Sequence, residues 1–392
     1  MKSLCSYART CSGCSSLQVA YPKQLRDKAL RVRKALSSLV PNNPDSDVFA
    51  DIAASPAPLG YRASTKLCLD EDKFGQRRIG LYQQQSKTVV DIPECPVHHP
   101  AINKLIAKLF SSRAPELPAP FYQHGKRGFQ SERLKFLTVR YSPSNQAAAI
   151  ILSHTGVDMT ALKKWAAAHS DKKLSIYASQ LNKADDTRII SADVQYLGGP
   201  ARVPFAIGER YFDLSPLAFF QANYSLNGAF IKHIAGDLAG DVLVDLYGGF
   251  GAYSFEAAPG FSRTYLVDGN QDAIAAAKTQ PHSPDNLVAV HASVEDFLMR
   301  HPGFNKDTPK VTHIIVNPPR TGISPKVSGF LANPTKLPRL RHLTYVSCNI
   351  DTLARDLKVL TKSGRWRLEQ VKAFDMFPQT EHVEVVVKLK MG

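Results

Sequence analysis

From residue 240 onward the chain repeats one pattern, a short apolar run followed by an amphipathic stretch. The runs are Val242-Leu243-Val244-Asp245, Tyr265-Leu266-Val267-Asp268, Leu287-Val288-Ala289-Val290, His313-Ile314-Ile315-Val316 and His342-Leu343-Thr344-Tyr345. A strand that is apolar at successive positions must be covered on both faces, and a helix between two strands lets them run parallel. The alternation therefore predicts an α/β fold with a doubly wound parallel sheet. Two further runs, 367–374 and 383–390, read as edge strands that close it. The first half shows no such regularity. In order it reads as a helix over 21–40, a Pro/Asn/Ala-rich linker over 42–58, and strands between 60 and 90. A helix over 101–110, a hairpin of 134–140 with 147–152, a helix over 160–169 and strands to about 212 follow. That mixed order indicates an α+β module. The expected boundary lies between residues 215 and 216.

Forty-nine Lys and Arg against 34 Asp and Glu leave a formal charge of +15. Such an excess favours a polyanionic partner, usually nucleic acid. No apolar run reaches the ~18 residues of a membrane span. Met1-Lys2-Ser3-Leu4-Cys5 lacks the apolar core of a secretory signal. The expectation is a cytoplasmic monomer with no membrane partner, whose thiols stay reduced. Clustered cysteines in that compartment point to metal. Cys5, Cys11 and Cys14 are spaced C-x5-C-x2-C in a Ser/Gly/Arg-rich loop, and Cys95 lies in Ile92-Pro93-Glu94-Cys95-Pro96. Four thiolates can hold an iron–sulfur cluster or a zinc ion. Both readings stand at this point, as does no metal; the tight first three and distant fourth look more like a cluster. Cys68, in a strand-like run, reads as core. The helix over 21–40 carries Lys23, Arg26, Lys28, Arg31, Arg33 and Lys34, a face for phosphates or for solvent.

Open α/β sheets bind ligands at the carboxyl ends of their strands. Four features fall there. Asp245-Leu246-Tyr247-Gly248-Gly249-Phe250-Gly251 follows the first strand, and its glycines permit a tight turn and close ligand approach. The spacing is not the dinucleotide fingerprint. Asp268 ends the next strand, where a carboxylate can accept both hydroxyls of a ribose. Asn317-Pro318-Pro319-Arg320 ends the fourth, a rigid extended turn offering an amide and a carbonyl to a planar base. Cys348, in Tyr345-Val346-Ser347-Cys348-Asn349, ends the fifth beside a helix capped by Asn349 or Asp351. A helix N-terminus lowers a thiol's pKa and favours a nucleophile. The bland alternative for Cys348 is a small buried apolar residue.

With these residues assembled, the chain resembles the RNA uracil-5-methyltransferases, which use S-adenosylmethionine to make 5-methyluridine in tRNA and large-subunit rRNA. The resemblance is carried by the four cysteines, Phe219-Phe220-Gln221, residues 245–251, Asn317 to Arg320, residues 345–349, and Asp375-Met376-Phe377-Pro378-Gln379-Thr380-Glu381-His382-Val383-Glu384. It implies a Rossmann-like class I methyltransferase domain over 216–392, preceded over 1–215 by an α+β RNA-binding domain with an iron–sulfur loop. It implies a [4Fe–4S] cluster on Cys5, Cys11, Cys14 and Cys95, Cys348 as nucleophile and Glu384 as base. Contacts to S-adenosylmethionine are implied at Gln221, Tyr247, Asp268 and Asn317. Three departures stand out. No RNA-binding β-barrel (the TRAM domain of many members) fits before Cys5, Asn317 replaces the usual aspartate, and Gly248 replaces the usual cysteine. Asn317 and the lack of the barrel together look most like the branch that modifies a hairpin loop of 23S rRNA. Uridine 54 of tRNA is the alternative target.

Carbon 5 of uracil is a poor nucleophile. A thiolate added at carbon 6 turns the ring into an enolate whose carbon 5 can accept a methyl group. The adduct must then lose its carbon 5 proton to a nearby base. These are the roles expected of Cys348 and Glu384. The target must be flipped or already unstacked, and Phe219 and Phe220 are candidates for an aromatic face against it. Arg320 is expected to order its turn or meet a phosphate, and the cluster to pin the N-terminal loops. Two more remote readings are a nucleic-acid amino-methyltransferase and a non-catalytic iron–sulfur RNA-binding protein. The first calls for an aromatic residue where Arg320 stands, and the second has no use for both Cys348 and Glu384.

Overall fold

The structure, a computed structural model, describes residues 4–40, 48–110, 117–183, 188–191, 193–207, 210–215, 218 and 221–392. A cysteine-bearing loop leads into α1 (Tyr21–Leu36) and β1 (Phe49–Ala53). Next come β2 (Ser64–Glu71), β3 (Arg77–Tyr82), β4 (Val89–Asp91), α2 (Pro100–Phe110), β5 (Leu134–Ser142) and β6 (Ala147–His154). Then α3 (Met159–His169), β7 (Leu174–Gln180) and β8 (Val194–Gly198) complete a seven-stranded sheet of order β4-β3-β2-β5-β6-β7-β8. Its pairs are antiparallel except β6 with β7, where α3 makes the crossover. A ribbon of β9 (Val203–Ile207) and β10 (Arg210–Leu214) follows.

The second half alternates as the apolar runs require. After α4 (Tyr224–Ala235) come β11 (Gly240–Leu246), α5 (Ala252–Ala257), β12 (Phe261–Asp268), α6 (Gln271–Lys278) and β13 (Leu287–His291). Then follow α7 (Val294–Arg300), α8 (Pro302–Asp307), β14 (Val311–Val316), α9 (Pro325–Ala332), β15 (His342–Ser347) and α10 (Ile350–Lys362). The chain ends with β16 (Trp366–Phe374) and β17 (Glu384–Met391). The sheet order is β1-β16-β17-β15-β14-β11-β12-β13. Strands β15, β14, β11, β12 and β13 are parallel. Alternate side chains serve opposite cores: Val244, Leu246 and Tyr345 on one face, Leu243, Ile315 and Val346 on the other. The winding reverses between β11 and β14, so a crevice opens outside their carboxyl ends.

Two sequence expectations are corrected here. Neither 367–374 nor 383–390 is an edge strand: β16 lies between β1 and β17, and β17 lies antiparallel between β16 and β15. Its three consecutive valines, Val385, Val386 and Val387, are all fully buried because the sheet is covered on both faces. The segment read as a linker is not all linker. Its residues 48–58 are described, and β1 within them pairs parallel with β16 (Phe49↔Val371, Ala53↔Phe374) to become the true edge. Val32 and Leu36 of α1 join the same core. Helix α1 and strand β1 thus belong to the second half. Nor is the basic face of α1 wholly outward. Lys28 is buried and pairs with buried Asp375 at 2.5 Å. Cys68 is buried, as expected of a core position.

The turn between β16 and β17 is where the two halves meet. Asp375 takes Lys28; the Pro378 carbonyl accepts from the Tyr61 hydroxyl at 3.1 Å. Gln379 exchanges two hydrogen bonds with Gln24, and its carbonyl accepts from Ser16 N–H. Glu381 N–H donates to Ser15 Oγ. The D-M-F-P block is therefore partly a dock for the cysteine loop and α1.

Candidate active site

The loop after β11 is held by the end of the neighbouring strand β12. Gly248 N–H donates to the Val267 carbonyl, and Gly249 N–H to Asp268 Oδ2 at 2.8 Å. Tyr247 (φ +59°) and Gly249 (φ +59°) both adopt left-handed backbone, a conformation that strains a tyrosine. A Cβ on Gly248 would lie 2.8 Å from Asp245 Oδ2 and 2.4 Å from a Leu266 methyl, so the loop lies close over the strand end. Asp245 is fully buried and accepts from Ser254 Oγ at 2.7 Å. Burial, with the Asp268 charge in support, pushes its carboxyl up to about 7. Asp268 also accepts from Asn270 N–H at 2.7 Å, and each carboxylate oxygen keeps a lone pair for a ligand. Asn270, rather than Asp268, caps α6.

The Cys348 loop and the Asn-Pro-Pro-Arg turn are tied together. Asn349 caps α10 by accepting from Asp351 and Thr352 N–H. Its amide nitrogen and Thr352 Oγ1 both donate to the Arg320 carbonyl. The Arg320 guanidinium in turn faces the Cys348 sulfur and draws its pKa down. The thiol was expected to be lowered by the helix N-terminus. Instead it stands above its ordinary value, because burial and then the Glu384 charge outweigh Arg320. The Asn349 side chain has taken two of the first-turn N–H groups itself. Glu384, at the start of β17, is buried. Burial pushes its carboxyl up to about 8, against the pull of Arg320.

All six expected catalytic and cofactor residues, Cys348, Glu384, Gln221, Tyr247, Asp268 and Asn317, line one cavity of about 1020 Å³ at the crevice. That is at the top of the usual ~300–1,000 Å³ range of a small-molecule site. Phe219 and Phe220 lie outside the described residues. Cys5, Cys11, Cys14 and Cys95 line a second, small cavity. Among the described residues, no three His, Cys, Asp or Glu close on a single metal-ion position. The donor set nevertheless suits a larger anionic group. Tyr7 N–H donates to Cys5 Sγ at 3.4 Å and Gly13 N–H to Cys11 Sγ at 3.3 Å. Val97 and His98 N–H groups point at Cys95. Burial, then the neighbouring thiols Cys95 and Cys11, push Cys14 up to about 12.

A family model described as tRNA (Uracil-5-)-methyltransferase matches residues 20–391. The chain belongs to this family. This enzyme is thus an S-adenosylmethionine-dependent RNA (uracil-C5-)-methyltransferase. An uncharacterized RNA methyltransferase of Thermotoga maritima is 30% identical over 405 residues, 100% of this chain and 85% of that relative. One of Enterococcus faecalis is 30% identical over 400 residues, 98% of this chain and 83% of that relative. The fold is similar to that of the Pyrococcus abyssi tRNA (uracil-54, C5)-methyltransferase in complex with S-adenosyl-L-homocysteine. The TM-score is 0.73 at 22% identity, over 97% of this chain and 84% of that one. The second half of this methyltransferase is therefore Rossmann-like in fold, as its strand pattern anticipates.

Two residues of the site escaped the sequence reading, and a third has a further role. Arg320, expected to order its turn or meet a phosphate, also faces the Cys348 sulfur. Tyr253, buried on α5, receives a long hydrogen bond (3.5 Å) from Asn317 Nδ2 and faces the Glu384 charge. Its position in the first turn after the glycine loop was a usable signal. Arg62 lines the cavity from the other half of the chain, and no local pattern marks it.

Proposed function

We propose that this methyltransferase methylates carbon 5 of an RNA uridine through a covalent adduct on Cys348. The observation that carries the reading is the sharing of one cavity by a thiol, a buried carboxyl and the nucleoside-binding edge of the sheet. Arg320, whose charge faces the sulfur, stabilises the thiolate that attacks. As the sulfur bonds to carbon 6, the ring π electrons pass to the carbonyl as an enolate. Carbon 5 then takes a methyl group, the electrophile that S-adenosylmethionine supplies when bound. Glu384, as carboxylate, removes the carbon 5 proton; the electrons re-form the ring double bond and expel the thiolate. A carboxyl poised at about 8 is near enough to neutrality to serve as that base. Asp268 would hold the ribose hydroxyls, and Gln221, Tyr247 and Asn317 the remainder of the cofactor.

Cys5, Cys11, Cys14 and Cys95 would hold a [4Fe–4S] cluster, whose contribution is a cross-link between the N-terminal loop and the segment around Cys95. The target we favour is a uridine of 23S rRNA, on the strength of Asn317 in the Asn-Pro-Pro-Arg turn. Uridine 54 of tRNA is the second reading, favoured by the family description and by the P. abyssi protein's own substrate. The site of action would be the cytoplasm, where the thiols stay reduced.

The test is a pair of variants assayed on total RNA lacking 5-methyluridine. Cys348→Ala should lose methylation, and Glu384→Gln should leave a protein–RNA adduct that survives denaturing gels. Full turnover by the alanine variant would remove the thiol from the mechanism. Mapping the new 5-methyluridine to 23S rRNA or to tRNA decides the target. Four irons and four sulfides per chain are expected at the cysteine site, and bound zinc in a colourless protein would overturn the cluster.

A further inference from the structure

The thiol cavity and the catalytic cavity share a wall made of Gly13 and Arg62. Arg62 is the only Lys or Arg among the described residues lining the thiol cavity. In the catalytic cavity Arg62 and Arg320 are the only two described, against the acids Asp268, Asp272, Glu295 and Glu384. A polyanion entering there has few cations to meet.

The backbone of Arg62 is held from the cysteine side. Its N–H donates to the Val97 carbonyl at 2.9 Å, and its carbonyl accepts from His99 N–H at 2.8 Å. Gly60 N–H donates to the Pro96 carbonyl at 2.9 Å. The strip 60–62 therefore lies on the segment that carries Cys95. Tyr61 meanwhile bonds the Pro378 carbonyl, in the turn that brings Phe377, Thr380 and His382 into the catalytic cavity. The Arg62 Nε is buried with no hydrogen-bond partner among the described residues. Buried arginine nitrogens normally have one, so an acceptor is expected to complete the site. A guanidinium suits a phosphate, which it can bind through two parallel hydrogen bonds.

We propose that Arg62 is a positioning residue coupling the two cavities: filling the four-thiol cavity fixes the Cys95 segment, which holds Arg62 to receive an RNA phosphate in the catalytic cavity. This rests on the cluster and RNA readings given above. It gives the cysteine site a role in substrate affinity without giving it a step in the reaction.

The experiment measures the affinity of a fluorescent oligouridylate for anaerobic iron-loaded protein and for protein stripped by a chelator, with iron and sulfide assayed in each. Wild type should weaken about tenfold on stripping, the worth of one charge-assisted hydrogen bond. Arg62→Met should bind iron normally, start about tenfold weaker, and lose nothing more on stripping. Its slope of log affinity against log salt should be shallower by about 0.7, one phosphate contact to a single strand. Arg62→Lys should recover part of both. If the methionine variant does not load iron, Arg62→Gln replaces it. A loaded wild type whose affinity ignores stripping would overturn the coupling alone. So would an Arg62→Met that still weakens on stripping as wild type does, or an unchanged salt slope. A wild type that takes up no iron overturns the cluster reading and this inference together.

Discussion

Glu384→Gln should make the protein more stable as the medium becomes more alkaline, while ending turnover. The folded chain holds the Glu384 proton up to about 8, against 4.5 for an ordinary glutamate. Between those values the unfolded chain has released a proton that the folded chain keeps. Raising the pH through this window therefore favours unfolding, by about 1.4 kcal/mol per pH unit. By pH 8 the accumulated penalty on the wild type is roughly 5 kcal/mol. The side chain is fully buried, so solvent does not discount this figure. Glutamine resembles the protonated acid and does not titrate. Urea unfolding of both proteins from pH 5 to pH 9, without RNA or cofactor, gives the comparison. The two should be near parity at pH 5, and the glutamine variant should lead by several kcal/mol at pH 9. A gap independent of pH, or a variant that falls behind as pH rises, would refute the burial argument.

Breaking the Lys28–Asp375 pair should be costly. Lys28→Met leaves a buried carboxyl unpaired at the dock between α1 and the β16–β17 turn, and about 3–5 kcal/mol should be lost in urea unfolding. An unchanged midpoint would show that the pair contributes nothing. Arg320→Met should raise the pKa of the Cys348 thiol further, because the cation that draws it down is removed while burial and Glu384 remain. The pH dependence of Cys348 alkylation, followed by mass spectrometry of its peptide, should shift to higher pH. A shift to lower pH would mean that Arg320 does not face the sulfur.

Some of the site was legible because its signals are local. The glycine loop, Asp268, the Asn-Pro-Pro-Arg turn and Cys348 each end a strand of a parallel sheet, and such ends converge wherever the winding reverses. Glu384 was legible only through its sequence block. Judged by alternation alone it sat in an edge strand with one face in solvent. That strand is interior because β15 and β16 pair on its two sides, and the edge is taken by β1, which arrives from more than 300 residues earlier in the chain. Lys28 shows the same gap. Its helix carries charges on a periodic face, and nothing nearby in the chain marks the one that meets Asp375.

By itself the order of residues determined the strand–helix alternation, the tight turns and the placing of one cysteine at a strand end, because each follows from contacts within a few residues. Tertiary structure alone decided which run would lie inside the sheet, how far burial would raise Glu384 and Cys348, and that Arg62 would stand between two cavities. These depend on which distant segments exclude water from a given side chain. Desolvation is a property of the surroundings in space, and no stretch of sequence contains it.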